Sequence, residues 1–159
     1  MGPAEVTTVA SEDEVPRYEC ASPEWVAIVR SVIEEVVETS AKEGGLAGIE
    51  YSMCEVYTGV PPGVAPKSRV GWHFRIANSL VHFEPVEADD VDTKVIAAWD
   101  VIAPMARVVL PEDGVHPPEV QKALAEASAS GRLEMVSRAG RKPPAAISDV
   151  HNRVARQTL

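Results

Sequence analysis

The chain has 159 residues, 45% of them hydrophobic and 25% charged, a length and balance that suit one globular domain burying roughly two thirds of its unfolded surface. A formal charge of -9 and an isoelectric point near 4.9 exclude the basic footprint that nucleic acid or an anionic membrane surface requires, so neither is expected as a partner. No apolar run approaches the ~18 residues of a membrane helix, so no stable membrane insertion is expected.

Residues 1–20 are small, polar and acidic, which predicts a flexible acidic leader ahead of a single domain over 21–159, with Val15 to Tyr18 able to lie against that domain. The leader has an acidic cluster where a secretory signal needs a basic one followed by an apolar one. Cys20 and Cys54 are too few for a disulfide scaffold and lack metal-ligand spacing. Two unpaired thiols fit a reducing compartment, and the cytoplasm is the expected location.

"SPEWVAIVRSVIEEVVETSAKEGG" predicts a helix over 22–42, with Ser22 as cap, Pro23 at the first helical position and Gly44-Gly45 at the end. Trp25, Ile28, Val29, Val32, Ile33, Val36 and Val37 fall at three- and four-residue spacing and form one apolar stripe. Most of these residues are β-branched and poor helix formers, so the helix depends on docking against a sheet.

Four strands are expected next. In 48–58, Ile49, Tyr51, Met53 and Tyr57 alternate with smaller or polar residues, interrupted by Glu55. After the Pro- and Gly-rich loop "VPPGVAPKSRVG" comes "GWHFRIANSLVHFEP", a hairpin with Trp72, Phe74 and Ile76 on one face and His73 and Arg75 on the other, turning at Asn78-Ser79. The fourth strand covers 91–98, with Val91, Thr93 and Val95 alternating against Asp92, Lys94 and Ile96. Beyond Asp100, the expected cap, the period turns helical through Ile102, Met105, Ala106 and Val109. A helix from Pro118, a last strand over 131–137 and a final helix presenting Ile147, Val150 and Val154 complete the chain. The expected fold is therefore α+β: a twisted, mainly antiparallel sheet of about five strands with helices packed on one face.

Three stretches, "GWHFRIANSLVHFEP", "VDTKVIAAWDVIAPMAR" and "VQKALAEASASGRLEMVS", resemble the sterol carrier protein type two superfamily in their order and spacing, over roughly residues 24–155. The anchors are Asp92 at the head of its strand, Ala106 in the short helix and Gly131-Arg132-Leu133 before the last strand. The resemblance implies an apolar tunnel between sheet and helices for a fatty acyl, acyl-CoA or sterol-like molecule. Trp25, Tyr51, Met53, Tyr57, Trp72, Phe74, Ile76, Trp99 and Met105 are the expected lining, because flat rings and flexible methionines suit irregular apolar guests. Tyr51 and Tyr57 are the polar handles among them.

The rest of the sequence demands no catalysis. His73 and His82, on the outward face of the hairpin, could approach one another, but a third ligand would have to come from His116 or a carboxylate such as Glu84, and zinc sites need three or four. Asp92 and Lys94 beside "EADD" read as a solvated charged surface. His151 falls on or near the apolar stripe of the last helix, with Asp149 pointing elsewhere. No triad can be assembled locally and no phosphate loop is present, so neither a cofactor nor a metal is expected. A carrier or binding module for a hydrophobic small molecule is the primary expectation. The alternatives are an isomerase or hydratase using Tyr51 and a buried carboxylate on a steroid or acyl substrate, and an apolar stripe that serves a homo-oligomer.

Overall fold

In the computed structural model, residues 15–111, 115–138 and 140–159 are described. Helix α1 spans Pro23–Lys42, strands β1 to β4 span Tyr51–Thr58, Val70–Ala77, Leu80–Glu84 and Thr93–Ala98, and α2 follows at Trp99–Ala106. Helix α3 (Pro118–Ala129), strand β5 (Leu133–Ser137), a 3-10 turn at Ala145–Ile147 and α4 (Val150–Ala155) complete the order. Ser22 caps α1 as expected, its Oγ accepting the Trp25 N–H at 3.1 Å, with Pro23 following it.

The five strands form one sheet in the order β3-β2-β1-β4-β5, with β1 parallel to β4 and the other three pairings antiparallel. This is the expected α+β class. Register assigns the faces: Tyr51 lies opposite Ile76, Met53 opposite Phe74 and Glu55 opposite both Trp72 and Val95, so all of these side chains share one face. Helix α1 lies over that face, in contact with β3, the 3-10 turn and α4, while α2 packs on β1, β4, α3 and α4. Val29, Val32, Ile33 and Val37 are buried in the resulting core, each contributing roughly 1.5–3 kcal/mol by leaving water. The hairpin turns through Asn78 and Ser79, at φ of 55° and 62°, the double left-handed geometry of a two-residue turn that matches strand twist.

The connection from β3 to β4 crosses the opposite face of the sheet as a strap over 85–92. Cys54, Val56 and Val91 form a small second core beneath it, with Ala88 and Ile96 packed alongside. Ions pin the strap down: Glu87 meets Arg69 at 2.9 Å and Lys94 at 2.8 Å. Gly71 lets the strap cross closely, because a Cβ there would lie 3.1–3.3 Å from the Cβ, Cα and N of Glu87 and would press the strap outward.

Several expectations are corrected. Glu55 does not interrupt β1, because it continues the inward alternation of Tyr51, Met53 and Tyr57. Val91 precedes its strand and turns to the strap side of the sheet. Asp92 is buried, not solvated, because Ser52 on the neighbouring strand takes its carboxylate. Asp100 does not cap α2: the cap position is Ala98, with no side-chain bond, and Asp100 pairs with Arg132. The final helix is divided into the 3-10 turn and α4. Residues 1–14 of the leader lie outside the described residues. Its last residues belong to the fold: Tyr18 N–H donates to the Gln157 carbonyl and Leu159 N–H to the Tyr18 carbonyl, both at 2.9 Å, and Cys20 is buried.

Candidate functional site

Between the helix-bearing face of the sheet and the helices lies a cavity of about 460 Å³. Its floor is Met53, Glu55 and Tyr57 of β1 with Trp72 and Phe74 of β2. Trp25, Val29 and Ile33 of α1 form one wall, and Ile102, Met105 and Ala106 of α2 another. The C-terminal segment closes the remaining side with Pro143, Pro144, Ile147, Val150, His151 and Val154, and His116 joins the lining from the loop before α3. Each segment arrives there for a local reason. The two strands alternate, α1 turns its three- and four-residue stripe inward, and α2 leaves β4 directly onto the same face.

Six of the nine expected lining residues, Trp25, Met53, Tyr57, Trp72, Phe74 and Met105, surround this cavity. Tyr51, Ile76 and Trp99 do not line it. Tyr51 and Ile76 sit at the other end of the same face, 2% and 1% exposed, and the Tyr51 hydroxyl donates to Thr93 Oγ1 at 2.7 Å. Trp99 opens α2 and donates its indole N–H to the Cys20 carbonyl at 2.8 Å. The Tyr51 hydroxyl, to which the isomerase or hydratase alternative gives the acid role, therefore lies outside this cavity.

The polar heart of the cavity is a chain of three side chains on adjacent strands. Trp72 Nε1–H donates to the Tyr57 hydroxyl at 2.8 Å, and that hydroxyl donates to Glu55 Oε1 at 2.7 Å. Trp25 stands edge-on to the Tyr57 ring with centroids 5.8 Å apart, and Trp72 stacks on Phe74 and Phe83 at 6.3 and 5.7 Å. Burial pushes the Glu55 carboxyl above the usual carboxylate range, the Tyr57 hydrogen bond opposing it only in part. Burial and then the Glu55 charge hold Tyr57 well above its ordinary range, so it stays a neutral donor.

His151 Nε2–H donates to the Val108 carbonyl at 2.8 Å. Asn152 holds the same stretch, exchanging bonds with the Leu110 N–H and carbonyl at 2.8 and 3.1 Å, and so ties the chain beyond α2 to α4. His116 Nδ1 is buried without a hydrogen-bond partner among the described residues. Glu55 and His116 escape sequence inspection as lining. A hydrophobic pattern treats a carboxylate as a break, and a loop histidine carries no periodicity.

His73 and His82 lie outside the cavity on the strap side of the hairpin. They do not face each other across the strands: His73 is opposite Glu84, and His82 opposite Arg75. His73 Nδ1 bonds the Val86 carbonyl at 2.8 Å, and His82 Nε2 meets Glu84 at 3.1 Å. A larger depression of about 780 Å³ flanks the other side of α1, bordered by loop 65–71 and Phe83. Among its charged residues Arg69 and Glu87 form a bidentate pair, whereas the inner cavity holds the buried, unpartnered His116 Nδ1, so the inner cavity is the stronger site.

No family model matches the chain, and no curated protein matches it. Two solved structures are similar over most of their lengths. One is a conserved hypothetical protein of Thermus thermophilus, described as a candidate sterol carrier protein: 15% identity, TM-score 0.42, covering 89% of this chain and 88% of that one. The other is a UbiJ-SCP2 ubiquinone synthesis protein: 19% identity, TM-score 0.37, covering 85% and 96%. The fold class, an α+β domain with a mixed and mainly antiparallel five-stranded sheet, rests on the strand pairing itself.

Proposed function

We propose that the protein binds a hydrophobic small molecule in this cavity, as a carrier or binding module. The observation that supports it is the cavity of about 460 Å³, within the roughly 300–1,000 Å³ of small-molecule sites. Strands β1 and β2, helices α1 and α2 and the C-terminal segment wall it with apolar side chains, and polar groups occur at a few points only. Such a space favours a guest that sheds apolar area, at ~0.8 kcal/mol per buried methylene less the cost of association. The sequence resemblance to the sterol carrier protein type two superfamily implies the same class, a fatty acyl, acyl-CoA or sterol-like body.

The test is titration of the purified full chain with a neutral, environment-sensitive naphthylamine probe, alongside native mass spectrometry for a co-purifying lipid. Saturable probe binding at roughly micromolar affinity, displaced by acyl or steroid competitors and accompanied by a change in tryptophan emission from Trp25 and Trp72, is the expected result. A wild-type protein that binds no such probe and carries no lipid would overturn the proposal.

A further inference from the structure

Glu55 is a feature of the cavity that a purely apolar guest leaves unexplained. A carboxyl on the inward face of the central strand forfeits part of its hydration, and an aliphatic side chain would fill the space without that loss. The direction of the bonds around it follows from what each group can do. Trp72 Nε1–H only donates, so the Tyr57 oxygen accepts it, and the single Tyr57 hydrogen goes to Glu55 Oε1. The chain of bonds therefore terminates at Glu55, whose Oε2 has no hydrogen-bond partner among the described residues. Glu55 lines the cavity, and no lysine or arginine among the described residues lines it as well.

Building on the hydrophobic-ligand reading above, we propose that Glu55 receives the head of the ligand, and that this head is a hydrogen-bond donor, a hydroxyl or an amine, on an otherwise apolar molecule. An ionised carboxylate only accepts, so a donor satisfies it. A carboxylate or phosphate head would instead set like charges together inside an apolar enclosure that no lysine or arginine among the described residues lines. A cavity whose carboxylate oxygen is left as an acceptor selects against ligands that bring only acceptors.

The experiment compares dodecanol, dodecylamine and dodecanoate, which differ only at the head, as displacers of the neutral naphthylamine probe at neutral pH. Wild type is expected to bind dodecanol at least about tenfold more tightly than dodecanoate, with dodecylamine on the side of the alcohol. In Glu55→Gln, which keeps the shape and removes the charge, the ratio is expected to collapse to within about twofold, mainly by a gain for the acid. If that variant does not fold, the wild-type ratio decides alone. Dodecanoate binding as well as dodecanol to wild type, or an unchanged ratio in Glu55→Gln, would overturn the head-group proposal while leaving the carrier reading intact. A wild type that binds no probe at all removes both.

Discussion

Asp92 and Ser52 hold each other by hydrogen bonds running in both directions between β4 and β1. The Ser52 N–H donates to Asp92 Oδ2 at 2.9 Å, the Asp92 N–H donates to Ser52 Oγ at 2.9 Å, and the Ser52 hydroxyl returns to Oδ2 at 3.2 Å. A parallel pair has no hairpin turn to set its register, and this exchange sets it at the point where the strap delivers the chain to β4. Arg138 extends the arrangement to β5, its N–H donating to the Asp92 carbonyl at 2.8 Å. Asp92→Ala leaves a buried backbone N–H and the Ser52 hydroxyl short of an acceptor, and should lower the unfolding free energy by about 3 kcal/mol. Asp92→Asn, which keeps one acceptor, should lose less. Denaturant unfolding reads both, and a loss below about 0.5 kcal/mol in Asp92→Ala would show the clamp to be dispensable.

The second prediction follows from the burial of Glu55, which raises its carboxyl above the ordinary value of 4.5. The sign is that of a group easier to protonate in the folded state than in the unfolded one. Stability is fully present below the unfolded value and is lost as pH rises through the folded one, where the fold must hold a desolvated carboxylate. Glu55→Gln removes that ionisation and still accepts from Tyr57. It should be more stable than wild type at neutral pH, with the difference vanishing below the ordinary carboxylate range. Paired urea titrations at acidic and neutral pH give the comparison. A variant less stable than wild type at neutral pH would mean that the charge is compensated within the fold.

How far these features are visible in the sequence depends on what a linear pattern records. The α1 stripe and the alternation in the 71–85 hairpin are legible because each is a local period, and Trp25, Trp72 and Phe74 lie on the cavity side. Period specifies a face but not a position along it. Tyr51 and Ile76 share the face with Met53 and Phe74, yet they lie beyond the cavity. The two carboxylates mislead for a related reason. Glu55 looks like a break in an apolar run and Asp92 like one more acid beside Asp89 and Asp90, because the groups that organise them, Trp72 through Tyr57 and Ser52 directly, come from other strands.

A third prediction concerns the thiols. Burial, with Glu55 and Glu19 adding to it, pushes Cys20 up to about 12, and burial raises Cys54 as well. The thiolate is the reactive form, so neither should react with a disulfide reagent at mildly alkaline pH in the native protein, and both should react once it is unfolded. Because the folded value exceeds the unfolded value of 9.0, stability should fall as pH rises from about 9 towards 12. Rapid stoichiometric labelling of the native protein would place at least one thiol in contact with solvent.

The last prediction separates the cavity from the strap side of the hairpin. Ala106, at the end of α2, is 8% exposed and lines the cavity beside Met105. A phenyl ring placed there enters existing space, so Ala106→Phe should keep the fold, changing stability by no more than about 1 kcal/mol in either direction, since the apolar area that the ring buries offsets local crowding. The same ring occupies volume a ligand needs and should weaken binding of the neutral probe at least about tenfold. His82→Ala, on the opposite face with its ring 3.1 Å from Glu84, should leave probe affinity within about twofold of wild type. Retained binding in Ala106→Phe would move the ligand out of this cavity. Equal losses in the two variants would mean that binding follows overall stability and not the inner wall.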